Sequence, residues 1–183
     1  RLVYIGGSLP PGVPQDAYKD LILRCKAAKV PVLLDASGPA LTSALEACPM
    51  AVKFDHRFLF STLGYPMGSI DDILNLVSEI HDNGVEWSVT TYRMVGNIFY
   101  TPQGIYMVDI AREEREQMIS LLAIGDALMA GLIVAILEGM DVEKAIRFAQ
   151  ACSLEDTLHV KKGIRGRHMV ESLMPKITVE KLR

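Results

Sequence analysis

Over the first ninety residues, short apolar runs alternate with stretches of helical periodicity, and this alternation constrains the fold more than any other feature. Leu2-Val3-Tyr4-Ile5, Val32-Leu33-Leu34, Ala51-Val52-Lys53-Phe54 and Trp87 to Thr91 read as strands. Between them, Pro14 to Lys29 sets Ala17, Leu21, Ile22 and Cys25 on one helical face. Pro39 suits the start of a helix over 39–47. Ser69 suits the cap of another, from about Ile70 to Asn83, with Gly84 as its stop. Strands alternating with helices predict a mainly parallel sheet with helices on both faces. Ligands of such sheets bind outside the carboxyl ends of the strands. Gly6-Gly7-Ser8, Asp35, Asp55 and Thr90 fall at those ends and are expected to line one edge.

Further along, Asn97–Thr101 and Ile105–Val108 flank Pro102-Gln103-Gly104, a hairpin pattern. The charge run Arg112 to Glu116 reads as a solvated turn or helix face. A helix is expected to begin near Asp126 and stop at Gly139, and Asp141 to cap a second over 142–152. A basic loop, Lys161 to His168, and a polar tail close the sequence. With 183 residues and half of them apolar, a single α/β domain over 1–183 is expected.

Composition excludes some classes of function. The net charge of −3 offers no basic field for nucleic acid, so none is expected as a partner. Three cysteines without C-x-x-C spacing suit a reducing compartment, and a cytoplasmic location without a signal peptide is expected. Met118 to Leu137 is apolar enough to raise a membrane span, but Asp126 near its middle would cost roughly 2.5–3.5 kcal/mol there. Gly125 beside it suggests a break, so no membrane association is expected. His56, His81, His159 and His168 lack metal-ligand spacing, and Ser8 lacks a nucleophile elbow. The Lys161–Arg167 loop reads as a solvated loop rather than a phosphate contact.

Ile124-Gly125-Asp126 stands at the start of a long apolar run, where two readings compete. First-turn amides of a helix lack internal partners, and the helix dipole favours an anion beside them. An aspartate next to a docked phosphate can take a proton from an attacking hydroxyl. The competing reading makes Asp126 only the cap of a buried helix.

Four segments in order resemble the PfkB carbohydrate kinases, sugar-phosphate branch (1-phosphofructokinases and tagatose-6-phosphate kinases). Gly7-Ser8-Leu9-Pro10-Pro11-Gly12 resembles that family's G-S-L-P-P-G, and Leu34-Asp35-Ala36-Ser37-Gly38 its next strand and loop. Val52-Lys53-Phe54-Asp55 stands where the family has V-K-P-N, and Ile124-Gly125-Asp126-Ala127-Leu128-Met129-Ala130-Gly131 resembles G-A-G-D-S-x-x-A-G. The tail Met174 to Glu180 is similar to this branch as well. The resemblance implies a ribokinase-like three-layer α/β/α fold and transfer of the γ-phosphoryl of ATP to a sugar phosphate, with Mg²⁺. It implies Asp126 as base and the amides of Ala123, Ile124 and Gly125 as anion hole. Lys53, Asp55, Thr90 and Thr91 would fall on the nucleotide side, with Asp55 reaching the metal through water. Gly7 and Ser8 would belong to the substrate loop.

Several positions depart from the family pattern. Ala123 replaces the first anion-hole glycine and Ile124 its small neighbour; Asp55-His56-Arg57-Phe58 replaces N-x-x-E; Thr90-Thr91-Tyr92 replaces S-L-G. The family's N-terminal portion, with its lid and most sugar contacts, is expected to lie outside this sequence. Two readings follow. One is a sugar-phosphate kinase, completed by the rest of a longer protein, by a second chain or by a homo-oligomer. The other is an inactive relative serving as a binding or assembly module.

Overall fold

The structure is a computed structural model that describes residues 1–55 and 69–183. Expectations for His56, Arg57 and Phe58 therefore lie outside the described residues. Seven strands form one sheet in chain order: β1 Val3–Gly6, β2 Val32–Asp35, β3 Ala51–Phe54, β4 Trp87–Tyr92, β5 Gly96–Thr101, β6 Gly104–Ile110 and β7 Ile177–Lys181. Seven α-helices accompany them among the described residues: α1 Ala17–Ala27, α2 Gly38–Leu45, α3 Ile70–Asp82, α4 Arg112–Arg115, α5 Ile124–Leu137, α6 Val142–Thr157 and α7 Arg167–Leu173. The chain divides into two compact units, Arg1–Thr91 with Phe99–Ile105, and Tyr92–Ile98 with Tyr106–Arg183.

In the first unit, β1 to β4 pair in parallel, as the alternation predicts. Val32, Leu33 and Leu34 of β2 are all buried, as are Ala51, Val52 and Phe54 of β3. Continuous burial rather than alternation is the mark of a parallel strand covered on both faces. α3 carries the expected capping box: the Ser69 N–H donates to Asp72 Oδ2 at 2.7 Å. Gly84, at φ +101°, ends that helix, its N–H reaching the His81 carbonyl at 2.7 Å. α1 is shorter than its pattern, because Pro14 and the uncapped Asp16 precede it rather than join it.

In the second unit, α5 and α6 pack against each other, with Gly131 at the seam. A Cβ placed there would meet Cys152 Sγ at 2.7 Å and Ala149 Cα at 2.8 Å. Asp141 caps α6 as expected, accepting the Lys144 N–H at 3.0 Å. α6 runs to Thr157, five residues beyond the expected end, because Ser153, Glu155, Asp156 and Thr157 are polar yet buried. The polar tail is β7, antiparallel to β6 with Ile110 opposite Ile177. The charge run is α4, and it is not wholly solvated: Glu114 is buried and paired to Lys176 at 2.9 Å. α5 is 14 residues, about 21 Å at helical rise, short of the hydrocarbon core of a bilayer. Among the described residues, no helix is long and apolar enough to cross a membrane.

Candidate active site

The carboxyl ends of β1, β2 and β3 bring the first group of expected residues together. Register places Gly6 opposite Asp35, and Asp35 opposite Lys53. Lys53 Nζ donates to Asp35 Oδ2 at 2.8 Å in a half-buried pair. The Gly7 N–H continues the ladder to the Asp35 carbonyl at 3.1 Å, and Tyr18 Oη donates to the Gly7 carbonyl at 3.0 Å. Gly7 sits at φ +99°, a left-handed conformation that suits glycine. The glycine loop thus leaves β1 from an anchored start, with Ser8 exposed beyond it. An anion arriving here meets a cation already held by Asp35.

Thr90 lies opposite Phe54 at the end of β4 and is fully buried, while Asp55 and Thr91 are half-buried. Asp55 suits a metal that keeps most of its water and takes one carboxylate together with phosphate oxygens, the usual habit of Mg²⁺. Among the described residues there is no cluster of three or more His, Cys, Asp or Glu able to hold a metal. His81 has a structural role: its Nδ1 lies 3.0 Å from the Val85 carbonyl, and its ring stacks on Tyr100.

The second group belongs to the second unit. Ile119 and Ser120 N–H groups reach the Thr157 carbonyl at 2.8 and 3.2 Å. The chain then turns through Leu121 and Leu122 into Ala123, which adopts φ +60°, ψ +10° and is the N-cap of α5. Asp126 is therefore the third residue of the helix and not its cap, a correction to the capping reading. The first amide bound in the helical manner is that of Ala127, to the Ala123 carbonyl at 3.0 Å. The Ile124 N–H makes a long contact of 3.4 Å to the Leu121 carbonyl. Gly125 and Asp126 N–H groups precede the helix's own ladder and have no acceptor within it. Asp126 is exposed, and among the described residues its carboxylate has no hydrogen-bond or ion-pair partner. A short row of amide donors at a positive helix end, with an unengaged carboxylate on the same turn, can hold a phosphoryl group and accept a proton beside it.

Tyr92, which stands where the resembling family has glycine, is half-buried with the Arg93 guanidinium 5.0 Å from its ring centre. Arg93 is also left-handed, at φ +58°, and faces Asp109, which Arg115 holds at 3.2 Å. Sequence reasoning missed the Asp35–Lys53 pair and the Tyr18 anchor. The first had a signal: in parallel strands, an acid and a lysine at equivalent carboxyl-terminal positions become neighbours. The basic loop also differs from expectation, since Lys162 turns inward and Arg167 is engaged by Glu138 and Glu171, each at 2.7 Å.

Sheet order and the parallel core together define a ribokinase-like α/β fold. The profile of the pfkB family carbohydrate kinases matches residues 1–158, and the chain belongs to that family. It is 28% identical over 178 residues to the 1-phosphofructokinase of Haemophilus influenzae, covering 97% of this chain and 56% of that protein. Against the 1-phosphofructokinase of Xanthomonas campestris pv. campestris it is 32% identical over 157 residues, covering 83% and 48%. A Thermotoga maritima structure described as a possible 1-phosphofructokinase superposes with a TM-score of 0.88 at 25% identity, covering 100% of this chain and 57% of that one. Phosphofructokinase-2 from Escherichia coli, in complex with potassium, superposes at 0.84 with 22% identity, over 94% and 56%, and speaks for the fold alone. The chain spans about half the length of the curated relatives it matches.

Proposed function

We propose that the protein containing this chain phosphorylates a sugar phosphate of the fructose 1-phosphate or tagatose 6-phosphate class from ATP, with Asp126 as the base. The observation that carries this is the first turn of α5: an exposed carboxylate without a partner among the described residues, beside amides that have no helical acceptor. The substrate hydroxyl oxygen attacks the γ-phosphorus. The bond from that phosphorus to the β,γ-bridging oxygen breaks, ADP leaves, and the hydroxyl proton passes to Asp126. The amides of Ala123, Ile124 and Gly125 face the charge on the transferred group, where positioning and electrostatics supply most of the rate. Mg²⁺, when bound with the nucleotide, neutralises phosphate charge, and Asp55 would reach it through water. Lys53, Thr90 and Thr91 serve the nucleotide side and Gly7 and Ser8 the sugar phosphate. The remaining length found in the relatives, a second chain or a homo-oligomer would complete the sugar site, in the cytoplasm.

The test is ADP release by the natural full-length protein with each sugar phosphate, beside Asp126→Asn. Loss of a general base is expected to lower kcat by about 10²–10⁴-fold. Equal rates in both proteins would remove Asp126 from the chemistry. A second reading, an inactive binding or assembly module, draws on the side chains of Ala123 and Ile124 at the anion hole and on Tyr92. Calorimetric titration with Mg·ATP separates the two, since micromolar binding argues against loss of the nucleotide site.

A further inference from the structure

Lys162 belongs to a loop whose composition reads as solvated, yet its ammonium is turned inward onto protein acceptors. Nζ lies 2.9 Å from the Asp156 carbonyl, 3.1 Å from the Ser120 carbonyl and 3.2 Å from Asp156 Oδ2. The two carbonyls accept hydrogen bonds from the ammonium, and the Asp156 carboxylate adds an ion pair. Asp156 is 2% exposed, and its other oxygen accepts the Gly163 N–H at 2.7 Å, so the loop is fixed at the lysine and at the residue after it. The acceptors come from two places that matter: the buried end of α6 and the segment that leads into the anion hole. That segment is already paired to α6 through the Ile119 and Ser120 amides on the Thr157 carbonyl. The Ser120 hydroxyl, in turn, accepts the Leu122 N–H at 3.3 Å. Three residues beyond Ser120, Ala123 takes a left-handed conformation that a side chain disfavours. Such a conformation persists only where its surroundings over-determine it.

We propose that Lys162 is a positioning residue for phosphoryl transfer: an internal ammonium that clamps the Ser120 carbonyl to the end of α6, and so holds Ala123 and the first-turn amides in their anion-binding geometry. The proposal rests on the kinase reading for its catalytic consequence, but not for the clamp itself. Lys162 touches neither substrate nor the transferred group in this scheme; it acts through the backbone of residues 119–123. The charge matters as well as the donors. A neutral residue here leaves Asp156 buried without its cation and the Ser120 carbonyl without its donor.

The test uses the natural full-length protein and two readouts. Amide hydrogen exchange over 119–127, measured without nucleotide, reports the clamp independently of catalysis. In Lys162→Met, exchange there is expected to rise at least about tenfold while residues 145–152 of α6 keep native protection. With fructose 1-phosphate and ATP, kcat is expected to fall about tenfold or more with KM for the sugar phosphate within about twofold, the signature of a lost transition-state interaction. Lys162→Ala with added ethylammonium is expected to regain protection and part of kcat, whereas a merely packed side chain would not be rescued by a free amine. Native exchange over 119–127 in folded Lys162→Met overturns the clamp, and native kcat overturns its catalytic role. Should Lys162→Met fail to fold, Lys162→Arg decides. Its planar fork retains charge but spreads its donors, so exchange at least about threefold above native is expected, and native exchange overturns the proposal. If the unmodified protein shows no kinase activity, the kinase reading fails while the exchange arm still tests the clamp.

Discussion

Ala123 holds a backbone conformation, φ +60° and ψ +10°, that costs an L-residue roughly 1–2 kcal/mol and glycine little. Ala123→Gly is therefore expected to stabilise the protein by about 1 kcal/mol in urea unfolding, part of the gain being offset by the greater freedom of glycine in the unfolded chain. Unchanged or lower stability would show that neighbouring contacts of the Ala123 methyl outweigh the torsional relief. At this scale the sequence was informative about identity and silent about geometry. It showed an alanine where the resembling family has glycine, and the left-handed torsion supplies the reason for that glycine. It did not show that the cap is Ala123 and that Asp126 stands two places inside the helix. An aspartate before an apolar run satisfies either description. Nor could it show Lys162 turned inward, since a glycine-spaced basic loop looks the same whether its lysine meets water or carbonyls.

Elements followed their patterns where apolar periodicity was strong and escaped them where polar residues were buried. α3 has its capping box and stop; α6 overran its expected end because Glu155, Asp156 and Thr157 lie under 3% exposed despite their polarity. β7 was unreadable as a strand, since Ile177-Thr178-Val179-Glu180-Lys181 is short and ends in charge, and only its pairing with β6 declares it. The ion pair beneath this edge carries a pH dependence. Lys176 donates to Glu114 and holds its carboxyl below the usual carboxylate range. A depressed folded-state value means the stabilisation is present above the unfolded carboxylate range near pH 4.3–4.5 and is lost as pH falls through the lower folded value. Lys176→Met is therefore expected to raise the midpoint of acid unfolding, read by circular dichroism. An unaltered acid midpoint would mean that this pair contributes nothing to holding β7.

For the molecule as a whole, the alternation of strands and helices foretold the parallel sheet, and four ordered motifs foretold the family. The fold was legible because both signals repeat along the chain. The site was less so, because its parts are single residues whose meaning depends on register: Asp35 and Lys53 become a pair only when β2 and β3 align. Thiol chemistry gives a probe of the native state in both units. Cys25 and Cys48 are half-buried, whereas Cys152 is buried in the α5–α6 seam, where desolvation and the nearby Glu155 charge push its thiol up to about 12. Iodoacetamide at pH 8 is expected to label Cys25 and Cys48 in the native protein, and Cys152 only after unfolding, as read by peptide mass spectrometry. Prompt labelling of Cys152 would mean that the seam opens on the timescale of the reaction.

The same seam restricts the paths by which this sequence can change. Position 131 has no room for a methyl group while Cys152 stands opposite, since an added Cβ would lie 2.7 Å from its sulfur and 2.8 Å from the Ala149 backbone. A smaller residue at 152 would remove only the first clash, and the second, being with main chain, would still force the helices apart. Substitutions on the two helices are thus ordered events: any enlargement at 131 must wait for a wider seam, and widening it shifts the helix whose first turn bears Asp126. The history of that glycine is tied to the history of the first turn of α5, so the two ends of this stretch can drift only together.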